Sequence, residues 1–585
     1  MFKSDGTNFG LFGCIRLVLI FGIFVSLTTM LPGSADAARE IELPDPELEA
    51  RELTSESELI MRVQTILKKM DSYSGVIDGE MNDELRKAIR VYQKQLGKKV
   101  DGLVTEKLAN HMETQSRVGA MLLHLDKIRT ADIAAARQAL AKGEITRKLL
   151  KNTKIDEVAD PTRDSSPCFR NPKEECLLEE AIESAKAIHK QELRDWALGE
   201  ILVAQARTGL VNQAIRTVAK ISDARLIIVA LRDIARAQAK SGRIDEAWQA
   251  ARIIPSAFQR LEAFAAIADI QLKNKDHDGA HETAAQIILL SEKLDNPLQK
   301  VTLVAQMAVV LAKIGDTGGA EEALSHAQDL ARSKEFEKQM SSMEKGAALR
   351  HVASAFAEIG QPMRALSLIE EVSGAYDKTA VLMSAATAQA VAGDTEAALE
   401  TVRKIENKRY SSVVLGRIAV AQARKGQKAE SAQTIRLALE KAVDIELDYA
   451  RSYAIGQLAL SLIDIGVQDK SATIEIAAQT ALEIENDRLR AYALWSVAAA
   501  QAKKGLTEEV KETEKLAADA TDAIGSSLSQ VWMLSDLASE SIHAGQLERA
   551  SSAFNRGIAI AESIDNAWGR ARALAKMAAT LYDFR

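Results

Sequence analysis

The feature that most constrains this chain is a phrase that returns along it. AQARTG (204–209), AQAKSG (237–242), AQAVAG (388–393), AQARKG (421–426) and AQAKKG (500–505) share one framework. Related turns fall at Gly315, Gly360, Gly466 and Gly545. Lys275 joins the series because Ala280 follows it by the interval that separates other turns from Ala214, Ala247, Ala320, Ala365, Ala398 and Ala550. The ten turn positions are spaced by 33, 33, 40, 45, 33, 33, 40, 39 and 40 residues. A unit of that length holds two helices and two turns. One such hairpin cannot bury its apolar side alone, so the segment must stack into an array. Seven extra residues are close to two helical turns, so a longer unit extends a helix without rotating its buried face.

The short period and the small residue at the helix crossing resemble the tetratricopeptide repeat, in divergent form. That resemblance implies an all-α solenoid of about ten helical hairpins over residues 176–585, with an extended curved surface open to protein partners. Composition agrees. Aromatic residues are 4% of the chain and prolines number nine, which favours helices packed through small side chains over a sheet. The net charge of −7 argues against a general nucleic-acid binder, which needs clustered positive charge.

The first residues read as an export signal. Lys3 and Arg16 precede the apolar run Leu17–Leu31, and Ala35 and Ala37 occupy the small-residue positions of a cleavage site. Residues 1–37 are expected to be removed after Ala37 and the protein to reside in the periplasm. An acidic lead-in, 38–54, follows. No later apolar run predicts an integral membrane segment. Cleavage removes Cys14 and leaves Cys168 and Cys176, which in an oxidising compartment are expected to form a small disulfide loop.

Between the lead-in and the array lies a different unit, 55–113, expected to be a small three-helix bundle. Ser55 and Glu58 make a capping-box pattern ahead of Leu59, Ile60, Val63, Ile66, Leu67 and Met70 at helical spacing. A second helix carries Leu85, Ala88, Ile89, Tyr92 and Leu96 and closes at Gly97. A third starts after Thr105 with Leu108 and Met112 inward. A helical extension (114–149) and a Pro- and Asp-containing linker (150–175) lead to the array.

The order Gln64, Leu67, Tyr73, Gly75, Asp78, Gly79, Ala88, Ile89, Tyr92, Gln93, Gly97, Asp101, Gly102 resembles the peptidoglycan-binding-like domain attached to bacterial cell-wall enzymes. Asn82 stands where that family usually has Gly, and Leu85 and Leu108 where it commonly has Thr. The resemblance implies peptidoglycan as a ligand. Asp78 and Asp101 read chiefly as turn caps ahead of glycines. Together with Tyr73 and Gln93, expected on the surface, they are the candidate ligand contacts.

No catalytic motif, cofactor fingerprint or metal-ligand set is found. His277 and His281 lie one helical turn apart but lack a third ligand, and read as part of a repeat turn. The five tryptophans, Trp196, Trp248, Trp495, Trp532 and Trp568, read as packing residues. These observations predict a non-enzymatic adaptor that is tethered to the wall and holds an envelope protein through its array. A cell-wall hydrolase or transferase, or a docking component without wall affinity, is the alternative.

Overall fold

The computed structural model describes residues 56–97, 99–150, 158–468 and 472–585, and among them every regular element is a helix. The expected export signal, its cleavage site, the acidic lead-in and Ser55 lie outside the described residues. The chain divides into two compact units, with the boundary between Ala135 and Ala136.

The smaller unit contains α1 (Glu56–Lys69), α2 (Asp83–Gln95) and the first part of α3 (Glu106–Lys142). Val63, Leu67, Leu85, Ile89, Tyr92, Ala109 and Met112 form its core. Arg62 ties α1 to α3, donating to Glu106 at 2.8 Å, Asn110 at 2.6 Å and Glu113 at 3.0 Å. Leu85 and Leu108 spend their side chains in the core, which accounts for apolar residues at those two helix starts. The helical extension expected for 114–149 continues the third helix: α3 runs unbroken to Lys142 and Glu144–Leu149 follows. Ala136, Leu140 and Leu149 belong to the core of the larger unit. The described part of the 150–175 linker is also packed. Ser166–Arg170 is helical, Cys168 and Phe169 are buried, and Cys168 is bonded to Cys176 with a Cα–Cα distance of 5.7 Å.

The larger unit is a solenoid of helical hairpins. One row comprises Gln191–Arg207, Ala224–Lys240, Ala257–Lys273, Pro297–Ile314, Ser342–Glu358, Ala375–Ala392, Lys408–Arg424, Asp448–Gln468, Asp487–Lys503, Ser527–His543 and Ala567–Tyr582. Each packs on the next member of its row. The second row packs on its hairpin partners and shows no comparable packing on itself, so the first row is the inner layer. Pro297–Ile314 is apolar and long enough to cross a membrane, but it is an inner helix whose Val301, Val304, Met307 and Ala308 are buried in the array.

The repeat phrase has a physical reason. Its glycine ends an inner helix in the left-handed region, as at Gly209 (φ 89°) and Gly393 (φ 96°), where L side chains are strained. The following amide then reaches back to the buried glutamine's carbonyl, as in Leu210 to Gln205 at 2.8 Å and Asp394 to Gln389 at 2.9 Å. In three hairpins that glutamine's side chain also accepts from a threonine on the second helix, Thr217 to Gln205 at 2.8 Å, Thr283 to Gln271 at 2.9 Å and Thr401 to Gln389 at 2.8 Å, whereas the side-chain oxygens of Gln238, Gln422 and Gln501 are buried without such a bond. Lys275, the non-glycine of the series, is also left-handed, at φ 63°. Gly466 is a correction. It lies inside the helix Asp448–Gln468 and ends nothing. A Cβ there would meet Ile474 Cγ1 at 2.6 Å, so the glycine permits close approach of the next helix.

The array does not stay open. The last helix, Ala567–Tyr582, packs on both Glu174–Lys186 and Gln191–Arg207. An eleventh hairpin is thereby assembled from the two ends of the array. Leu177, Leu178, Ile201, Leu574 and Met577 are buried in one shared core. The Arg572 guanidinium sits over Trp568, Trp196 and Trp532 at 4.3, 4.7 and 5.0 Å from their ring centroids. It also donates two hydrogen bonds to Glu200. Arg585 pairs with Glu174 at 2.9 Å, Arg207 with Asp583, and Arg570 donates to Ser165 at 3.2 Å. The open curved surface expected of a repeat array is therefore replaced by a closed inner face. The terminal helices, each apolar on its unpaired side, cover one another instead of meeting water.

Candidate functional site

The smaller unit is built around two copies of one device. Gln64 of α1 accepts from the amides of Asp78 and Gly79 at 3.1 and 2.9 Å and donates to the Asp78 carboxylate at 2.7 Å. Asp78 also accepts from the Glu80 amide at 3.0 Å. Gln93 of α2 repeats the pattern. It accepts from the Gly102 amide at 2.8 Å and donates to Asp101 at 2.8 Å, while Asp101 accepts from the Leu103 amide at 3.1 Å. In each copy a buried amide holds an Asp-Gly turn whose glycine is left-handed, at φ 77° for Gly79 and 74° for Gly102. Asn82 and Thr105, three residues after each glycine, then cap the next helix through bonds from Leu85 (2.8 Å) and Leu108 (3.2 Å).

The two carboxylates are acceptors only. Asp78 is held below the usual carboxylate range by the Gln64 amide first and the Glu80 N–H second. Asp101 is held down by the Leu103 N–H first and Gln93 second. A group so stabilised as an anion has no proton to give at neutral pH.

Residues 56–112 match the family model described as "Putative peptidoglycan binding domain". That match spans the three-helix unit, and the resemblance read from the sequence falls on the same residues. No curated protein matches the chain. Among solved structures, the chain is similar to the crystal structure of Ton1535 from Thermococcus onnurineus NA1, at 17% identity and a TM-score of 0.27. That match covers 56% of this chain and 98% of the other. It is also similar to a circular tandem repeat protein with novel repeat topology and enhanced subunit contact surfaces, at 12% identity and a TM-score of 0.16, over 86% of this chain and 97% of the other. Likeness at these TM-scores bears no weight here.

The structure corrects where two candidate contacts lie. Tyr73 and Gln93, expected on the surface of the module, are 4% and 6% exposed. Tyr73 lies against Gly75, where a Cβ would strike its ring. Its hydroxyl donates to the Val76 carbonyl at 3.0 Å and accepts from Asn82 at 3.0 Å. Asn82 itself is extended (φ −115°, ψ 171°), capping α2 and anchoring Tyr73. Tyr92 is core, with its hydroxyl 2.9 Å from His111 Nδ1.

What the module offers outward lies beside the turns. Val76, Ile77, Val100 and Leu103 are exposed. Arg86 and Arg90 lie against Gly102, where a Cβ would meet Arg86 Cγ and Arg90 Nε at 2.9 Å each. Sequence reading missed these arginines because only the absent Cβ of Gly102 brings them to the turn. In the array, His281 lies 3.2 Å from Asp316 of the next hairpin, and no group of metal-binding side chains is found among the described residues.

Proposed function

We propose that this protein is a non-enzymatic adaptor of the periplasm that tethers to peptidoglycan through residues 56–112 and holds a partner protein through its helical array. The observation that carries the reading is the match of the three-helix unit to a family of peptidoglycan-binding modules. Export is supported by the signal-like residues 1–37 and by the bonded pair Cys168–Cys176, a linkage suited to an oxidising compartment. The scaffold half is supported by the repeat architecture, whose stacked hairpins present one continuous surface.

In this reading the glutamine–aspartate clamps fix the turns, and the surface beside them makes the contact. Arg86 and Arg90 supply positive charge for the carboxylates of peptide stems. The mechanism is local concentration: a wall-bound tether raises the encounter rate of whatever the array holds.

Sedimentation with purified sacculi tests the tether. The chain is expected to sediment, a chain lacking residues 56–112 to remain in the supernatant, and Arg90→Glu to reduce the bound fraction severalfold. Equal sedimentation with and without 56–112 would overturn it. Release of soluble muropeptides by the purified protein would overturn the non-enzymatic part. Cross-linking in intact cells tests the scaffold half, with adducts expected on the array.

A further inference from the structure

Along the second row, neighbouring hairpins face each other across grooves, and in two of these side chains bridge the gap. His281 lies 3.2 Å from Asp316 and His326 lies 2.9 Å from Glu292, joining the hairpins of His277–Ser291 and Thr317–Ala331. Arg364 donates to Ser325 at 3.4 Å and Gln361 donates to Glu321, joining the next pair. The groove between Ile244–Arg252 and His277–Ser291 opens instead into a cavity of about 370 Å³. Each wall is one helix face. Asp245, Trp248, Gln249 and Arg252 stand at i, i+3, i+4 and i+7 of one helix, and Gly279, Glu282, Thr283 and Gln286 repeat that spacing on the other.

Gly279 makes the room. The place four residues after a turn holds Gln213, Glu246, Arg364, Glu430, Glu509 or Arg549 in other hairpins, and a glycine withdraws that long side chain. At the base, Gln271 is 5% exposed, accepts from Thr283 at 2.9 Å and donates to Asp276 at 3.1 Å. A Cβ on Gly279 would meet the Gln271 Nε2 at 2.4 Å, so the glycine leaves this amide at the cavity floor. The rim is polar and unspent. Asp245, Gln249, Arg252, Glu282 and Gln286 make no side-chain hydrogen bond or ion pair among the described residues. Arg252 lies over the Trp248 ring, 5.8 Å from its centroid, and pairs with neither carboxylate. Trp248 is half-buried against Phe264, with ring centroids 4.3 Å apart, and its indole N–H makes no hydrogen bond among the described residues.

We propose that this cavity is a binding site for a short neutral saccharide. The site goes beyond the proposed tether and shares no residue with it. Its volume falls within the range of small-ligand sites, about 300–1,000 Å³. The mixed charge of the rim disfavours a simple ion, since an anion would meet Asp245 and Glu282 and a cation would meet Arg252. Sugar hydroxyls satisfy both signs, because each can donate to a carboxylate and accept from a guanidinium or an amide. The planar amides of Gln249 and Gln286 add a donor and an acceptor on each wall. Trp248 offers a flat apolar surface to the C–H face of a sugar ring, with its N–H as a further donor beside it.

The test uses the full chain labelled with fluorotryptophan and read by fluorine NMR. Its five tryptophans give separate signals, and that of Trp248 is assigned by its loss in Trp248→Phe. Cellobiose and N,N′-diacetylchitobiose are the probes. At least one is expected to move the Trp248 signal saturably while the other four stay in place. Asp245→Asn with Glu282→Gln, both exposed, is expected to weaken binding at least tenfold with the thermal midpoint unchanged. Glu321→Gln, in a bridged groove, should leave binding as it was. Failure of both disaccharides to saturate the signal below about 10 mM would overturn the proposal. So would an equal loss in Glu321→Gln, or an equal response of the Trp248 signal to glycylglycine or putrescine, which would mark the site as one for ions. Sedimentation with sacculi reads the tether separately, so either result stands without the other.

Discussion

Arg572 reaches Glu200 across 372 residues of sequence, donating from Nε at 2.8 Å and from Nη2 at 2.6 Å. The pair sits where the last inner helix meets the first, and three tryptophans surround the guanidinium. Replacing Arg572 with Ala removes both bonds and the ring contacts and leaves Glu200 with no cation, only the Trp196 indole N–H at 3.1 Å. The loss is expected to be about 2–4 kcal/mol, read as a lower urea midpoint with helicity retained at zero denaturant. A second transition, reporting the two ends separating before the middle hairpins, is the expected signature of a loosened closure.

The Cys168–Cys176 bond anchors the short helix Ser166–Arg170 to Glu174–Lys186, the helix that completes the eleventh hairpin. Its loop is short, so the loop-closure model assigns it about 2.5 kcal/mol. Replacing both cysteines with Ser should lower stability by about that amount, and Arg572→Ala in that background should cost more than the sum, since both act on one closure.

The clamps of the module differ in how many amides they hold. Gln64 accepts from two backbone N–H groups and Gln93 from one. Gln64→Leu is therefore expected to destabilise the module more than Gln93→Leu, by about 1 kcal/mol for the additional stranded donor. Amide hydrogen exchange at Asp78 and Gly79, against Gly102, reads the difference directly.

Two positions in the array reverse the usual sign of a glycine exchange. Lys275 is left-handed, so Lys275→Gly should stabilise by about 1 kcal/mol, although it loosens the unfolded chain. Gly466 is helical, where alanine is normally preferred by about 1 kcal/mol. Its Cβ would press on Ile474, so Gly466→Ala should destabilise by about 1–3 kcal/mol. Thermal denaturation of the two variants checks both signs.

Two groups on the inner helices set opposite ends of the pH profile. His351 is held down at about 4, by burial first and Arg350 second, against an ordinary value of 6.5. Between those values the unfolded chain takes up the proton and the folded one does not. This site's stability is therefore present above pH 6.5 and lost as pH falls toward 4. Lys240 ionises at about 8 folded and 10.5 unfolded, so its opposition to folding is full below pH 8 and fades as pH rises to 10.5. His351→Gln should flatten the acid limb and Lys240→Gln the alkaline limb of the urea midpoint plotted against pH.

The hairpins were legible because their signals are local. A glycine one or two residues beyond the last helical position shows in a single repeat, and even Lys275 was betrayed by the alanine five residues later. Gly466 misled because a glycine that ends a helix and one that admits a neighbouring helix look alike in sequence. Tyr73 and Gln93 misled for a related reason. Polar tips suggest the surface, but both tips are satisfied inside, one by Val76 and Asn82, the other by Asp101 and Gly102. Trp196, Trp532 and Trp568 looked scattered because their meeting point is defined by Arg572, at the far end of the chain.

By itself the sequence determined the helical period, the turns, the two-part organisation and the character of the small module, all written within about forty residues of one another. Only the tertiary structure decided that the array closes on itself. Each hairpin rotates slightly on the last, and whether those small rotations sum to a closed circuit is a property of the whole stack. That closure turns the inner helices into one continuous row.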